Sequence, residues 1–113
     1  MPALSYLAAA LKANIEDVSI TTDVMIGFPG ETDEEFEQTY SYLAEIPLTQ
    51  MHVFKYSRRK GTPAAEYEGQ IDPHVKEERS KRLLSLSAAK TLKFNKLFIG
   101  RRMRVLFEQE VEN

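Results

Sequence analysis

Residues 18–36 force a strand, a glycine-bounded turn and a helix start into one short run, and this constrains the fold more than any other stretch. Val18, Ile20, Thr22, Val24 and Ile26 alternate with Ser19, Thr21, Asp23 and Met25, with β-branched residues dominating the first set, which is a strand pattern. Gly27-Phe28-Pro29-Gly30 breaks it. Thr32 then offers an N-cap, and Glu35, three residues on, completes a capping box. Asp33, Glu34 and Glu35 load the first turn with the negative charge that the helix dipole favours. Strand, turn and helix make the first half of a βαβ unit. Ligands of such folds gather at the carboxyl ends of parallel strands. A turn whose Gly27 and Gly30 lack Cβ atoms can lie against a flat ligand, or it can simply be tight. Asp23 shares the Thr21 and Met25 side, where its carboxylate either faces a cleft or is satisfied locally.

The flanking segments extend this unit. Residues 3–12 are rich in helix formers, with Asn14 as a stop. Phe36, Tyr40 and Leu43 form one apolar stripe on a helix over 33–45, which Pro47 closes. Residues 51–56 read as a second strand, with Met51 and Val53 on one face and His52, Phe54 and Tyr56 on the other. A helical crossover of this length predicts parallel, right-handed pairing. Arg58, Arg59 and Lys60 follow at the carboxyl end of that strand, where Arg suits carboxylate or phosphate bidentately, or where the three bases form a solvated loop. Asp72-Pro73 is an N-cap with proline at N1. The helix it starts keeps Val75, Leu86 and Leu97 in line, with Leu83 and Phe94 beside them, until Gly100 ends it. Residues 101–111 alternate again, as a terminal strand without a partner.

Composition excludes several classes. The 113 residues suit one domain or a piece of a larger one. No apolar run approaches the roughly 20 residues of a membrane span, and residues 1–12 have no basic leader, so no secretory signal or membrane partner is expected. With no cysteine there is neither a disulfide framework nor a thiolate metal site, and a cytoplasmic location is the simplest expectation. His52 and His74 are not at metal-ligand spacing, and no catalytic residue or metal ligand is assigned. The net charge of −2 hides a division: residues 1–54 carry −8 and residues 76–104 carry +8. The basic segment is either a polyanion-binding surface or a solvated helix face.

The segment Thr21-Thr22-Asp23-Val24-Met25-Ile26-Gly27-Phe28-Pro29-Gly30-Glu31-Thr32, followed by His52-Val53-Phe54-Lys55-Tyr56-Ser57-Arg58-Arg59-Lys60-Gly61-Thr62-Pro63-Ala64-Ala65, resembles the radical SAM methylthiotransferases. The first block resembles a late strand of their barrel, and the second resembles the next strand with its loop. The stretch from Gln70 and Ile71 through Lys76, Arg79 and Leu83 resembles the helix leading out of the barrel. Gly100 to Glu108 resembles the first strand of the tRNA-binding TRAM domain. His52 with Ser57-Arg58-Arg59 is most similar to the branch acting on threonylcarbamoyladenosine in tRNA, with the isopentenyladenosine branch next.

The resemblance implies an α/β fold: part of a TIM-like radical SAM barrel with parallel βαβ strands, then a long helix and a terminal strand. Its divisions would be 1–72 (barrel portion), 73–99 (exit helix) and 100–113 (start of TRAM). It implies a transferase that inserts a methylthio group at carbon 2 of a modified adenosine beside the anticodon. In that family S-adenosylmethionine is cleaved on one [4Fe–4S] cluster, and a second cluster supplies or carries the sulfur. The family holds these clusters with cysteines N-terminal to the matching region, so this chain is expected to be a C-terminal portion, inactive alone and binding no cofactor by itself. Val24, Met25, Ile26, Gly27 and Glu31, then Phe54 and Tyr56, match segments that approach S-adenosylmethionine. Arg58 and Arg59 match a basic pair assigned to cofactor carboxylate or substrate phosphate. Lys93, Lys96, Arg101, Arg102 and Arg104 would face tRNA through its phosphates. Two other readings stay open: an RNA-binding module without chemistry, and a structural piece that self-associates through its open sheet edges.

Overall fold

The parallel pairing expected from the crossover is present and organises everything else. The computed structural model describes residues 2–102. Helix α1 (Pro2–Asn14) precedes strand β1 (Thr21–Ile26), which leads through the glycine turn to α2 (Asp33–Glu45). Strand β2 (Gln50–Lys55) follows, then a short 3₁₀ turn (Pro63–Glu66) and the 24-residue helix α3 (Pro73–Lys96). The two strands run parallel, with Thr21 opposite Gln50 and Ile26 opposite Lys55.

The caps fall where the side-chain chemistry demands. The Thr32 hydroxyl accepts from the Glu35 amide at 3.1 Å, the half of the capping box that α2 forms. The Asp72 carboxylate accepts from the His74 amide at 2.7 Å, with Pro73 at the start of α3. Strand β1 is shorter than the 18–26 alternation predicts, because its partner begins only at Gln50. Residues 18–20 instead enter a connection in which the Ile20 carbonyl accepts from the amides of both Thr49 and Gln50. Helix α3 ends at Lys96, so Leu97, on the predicted apolar line, is 57 % exposed. The terminal strand expected over 101–111 lies outside the described residues, except for Arg101 and Arg102, which belong to no regular element.

One face of the two-stranded sheet holds the core. Val24, Ile26 and Met51 pack with Phe36 and Leu43 of α2 and Leu83 of α3, and α1 adds Ala8. Each of these side chains other than Ala8 contributes about 1.5–3 kcal/mol by leaving water. The opposite face carries Thr21, Asp23 and Met25 beside Gln50, His52 and Phe54, and all six are exposed. Along the outer edge of β2, Ser87 of α3 accepts from the Met51 amide at 2.9 Å and donates to the Met51 carbonyl at 3.3 Å. The edge therefore begins satisfied by a helix side chain rather than open. No helix among the described residues is long and apolar enough to cross a membrane.

Candidate functional site at the carboxyl ends of the strands

The turn after β1 is built by a chain of bonds from its own backbone to α3. Gly27 and Gly30 both have positive φ (79° and 88°), a region that side chains disfavour. The Gly27 amide donates to Glu31 Oε1 at 3.0 Å, the Glu31 amide donates to the Phe28 carbonyl at 3.0 Å, and the Gly30 amide donates to Gly69 O at 2.8 Å. The same Glu31 oxygen accepts from Arg79 Nη1 at 2.6 Å, and Arg79 Nη2 reaches Asp33 at 2.8 Å. Arg79 is 6 % exposed, the one buried cation among the described residues. Burial works against its charge, but the bonds from Asp33 and Glu31 prevail and raise its pKa.

Lys76, one turn earlier on α3, closes the other side. Its aliphatic chain fills the notch left by the missing Gly27 Cβ, and its Nζ donates to the Tyr56 carbonyl at 3.0 Å. Phe28 meets Tyr56 edge-on at 5.3 Å between centroids and Tyr67 at 6.0 Å. The Tyr56 hydroxyl is buried without a partner among the described residues.

Two clefts open beside this turn, and they separate the Arg58–Arg59 pair. Arg59 lines one of about 460 Å³ with Met25, Phe54, Ser57 and Thr62. Arg58 lines one of about 300 Å³ with Lys55, Ser57 and Lys76, and its Nε donates to the Ala65 carbonyl at 2.7 Å. Lys55 also pairs with Glu77 at 2.6 Å. Of the residues expected near a cofactor, Met25, Phe54, Tyr56 and Arg59 converge on the larger cleft. Val24 and Ile26 turn into the core, leaving only their backbone near the strand ends. Glu31 spends its carboxylate on Gly27 and Arg79.

Part of the basic segment formed by α3 and the residues just after it meets the acidic first half of the same chain. Besides Arg79, Arg82 pairs with Glu37 and stacks over Phe36 and Tyr40, and Arg101 pairs with Asp17 at 2.7 Å. Lys90 donates to the Ala44 and Ile46 carbonyls at the end of α2, and burial lowers its pKa. Lys93, Lys96 and Arg102 are exposed and form no ion pair among the described residues. Arg104 lies outside the described residues. The expected basic surface is thus thinner than its charge of +8 suggests.

Sequence reasoning assigned Arg79 and Lys76 no role at the turn. The signal was there: Val75, Arg79, Leu83 and Ser87 recur at four-residue spacing, which places a cation on the stripe that α3 buries.

No family model matches the chain. Relatives do. A tRNA-2-methylthio-N(6)-dimethylallyladenosine synthase of Acetivibrio thermocellus is 42 % identical over 102 residues, 90 % of this chain and 21 % of the relative. One of the same name from Aquifex aeolicus is 45 % identical over 100 residues, 88 % of this chain and 23 % of the relative. The threonylcarbamoyladenosine tRNA methylthiotransferase MtaB of Bacillus subtilis is 51 % identical over 77 residues, 68 % of this chain and 17 % of the relative. The chain thus spans about a fifth of the length of the curated relatives it matches. The same strand–turn–helix block that builds the site carries the earlier resemblance, and with identity of this order along most of its length the chain belongs, as a segment, to the tRNA methylthiotransferases.

Proposed function

We propose that this segment forms part of the cofactor-facing wall of a radical SAM methylthiotransferase that modifies carbon 2 of an adenosine beside the anticodon of tRNA. The observation that carries the proposal is the uncovered sheet face ending in a cleft. Met25 and Phe54 sit side by side in register there, with Arg59 at the rim. An exposed apolar pair on a parallel sheet fits the inward face of a barrel whose other strands lie elsewhere in the protein. Met25, Phe54 and the Gly27 backbone suit the flat adenine of S-adenosylmethionine, and Arg59 suits its carboxylate. Arg58, with Lys55 and Lys76 in the separate cleft, suits a substrate phosphate.

Each [4Fe–4S] cluster would be held by cysteine thiolates, and this chain has no cysteine, so its residues do not fit the clusters. Those ligands belong to other parts of the protein, and the segment alone is inactive. Residues 1–72 then act as barrel, 73–99 as exit helix and 100–113 as the start of a TRAM domain. Lys93, Lys96, Arg101, Arg102 and Arg104 face tRNA, and the protein works in the cytoplasm.

Mass spectrometry of tRNA nucleosides tests the proposal. Deleting the gene should remove a 2-methylthio adenosine, and the complete enzyme with Phe54→Asp should not restore it. Loss of the threonylcarbamoyl form is expected, and loss of the isopentenyl form instead would move the protein to the other branch. A methylthio-adenosine profile unchanged by deletion would refute the proposal.

A further inference from the structure

We infer that Arg79 is a positioning residue: from α3 it sets the shape of the Gly27–Gly30 turn and, through that shape, the affinity for S-adenosylmethionine. The inference rests on the reading that this turn borders the cofactor. One oxygen, Glu31 Oε1, accepts from both Arg79 Nη1 at 2.6 Å and the Gly27 amide at 3.0 Å. A second Arg79 bond, at 3.3 Å, goes to the Glu31 backbone carbonyl. Nη1 thus holds Glu31 by side chain and main chain together while Nη2 is fixed on Asp33 at 2.8 Å, and Glu31 in turn holds the first amide after β1.

Stability alone does not account for an arginine here. A buried ion pair often gains nothing over apolar residues of similar volume, because desolvating the charges offsets their attraction. Its planar fork does fix direction, which an apolar contact cannot. Arg82 provides the internal comparison. It joins the same two helices through Glu37 and the rings of Phe36 and Tyr40, but touches nothing in the turn.

The test uses Arg79→Gln, the double variant Glu31→Gln/Arg79→Met, in which no buried charge is left unpaired because Asp33 is exposed, Arg79→Lys as partial rescue and Arg82→Gln as control. In this chain, amide hydrogen exchange at Gly27 should rise about tenfold in the first two, the scale of one charge-assisted hydrogen bond. Exchange at Val24 and Ile26 should hold, and Arg82→Gln should leave Gly27 as it was. In the complete enzyme the same two variants should raise KM for S-adenosylmethionine about tenfold, with kcat and the KM for tRNA within about twofold. Arg79→Lys should recover part of the loss. An unmoved Gly27 amide in folded variants would overturn the inference and leave the cofactor reading standing. A loosened turn with an unmoved KM for S-adenosylmethionine would overturn the cofactor reading, and the inference with it.

Discussion

Lys76 occupies the space that Gly27 leaves empty: a Cβ on Gly27 would collide with Cγ and Cδ of Lys76, whose amine is anchored on the Tyr56 carbonyl. Gly27→Ala must therefore bear a positive φ and also displace a lysine that ties the two strand ends to α3. The φ cost alone is on the order of 1–3 kcal/mol. Gly30→Ala bears only the φ cost, since nothing lies within 4 Å of its Cβ position. Urea unfolding should show Gly27→Ala as the more destabilised, and the difference should shrink in a Lys76→Ala background, as a double-mutant cycle measures.

Leu83 is fully buried at the junction of α3 with the sheet, whereas Leu97, on the predicted apolar line beside it, is 57 % exposed. Leu83→Ala should cost about 2–5 kcal/mol. Leu97→Ala should stay within about 0.5 kcal/mol. Equal denaturation midpoints for the two would contradict this packing.

Acid should weaken the fold through three exposed pairs. Hydrogen bonds from Arg101, Arg82 and Lys55 lower the pKa values of Asp17, Glu37 and Glu77 from their ordinary 3.8, 4.5 and 4.5. A carboxylate with a lowered folded pKa contributes stability that is present above its ordinary value and lost as pH falls through the folded one. Thermal melting points should therefore hold near neutrality and drop as pH falls through and below the ordinary carboxylate range. Asp17→Asn should make the drop shallower, and high salt should do likewise.

Replacing Lys93, Lys96, Arg101 and Arg102 with Gln should weaken tRNA binding, itself only about 10⁻⁴–10⁻⁶ M for non-specific phosphate contact. The salt dependence should flatten by up to about one unit of slope per lost contact. The ion pair to Asp17 adds a sharper expectation: Asp17→Asn frees Arg101 and should tighten binding. Affinity insensitive to salt and to all these changes would reduce the basic segment to a solvated face.

The uncovered sheet face should make the isolated chain self-associate. Met25 and Phe54 are adjacent there and more than half exposed. Sedimentation at micromolar concentration should show a dimer or larger, and Phe54→Asp should reduce it. A monomer with dispersed amide spectra would argue that the sheet tolerates its open face.

The sequence by itself determined what depends on neighbours within a few positions. The Thr32 and Asp72 caps, the Phe36–Leu43 stripe, the positive-φ glycines and the parallel crossover all follow from local sterics, hydrogen bonding and periodicity. The family resemblance was legible for the same reason, since it rests on contiguous blocks. Only the tertiary structure decided which partner each charge takes. Glu31 and Arg79 lie 48 residues apart, and Asp17 and Arg101 lie 84 apart. A net charge of −8 facing +8 permits many pairings, and packing selects among them by bringing α3 across α2 and the strand ends. The same distance dependence separates Arg58 from Arg59. Adjacent in sequence, they line different clefts that share Lys55, Tyr56 and Ser57, because Pro73 and Lys76 of α3 close the first and Met25 and Phe54 of the strands close the second.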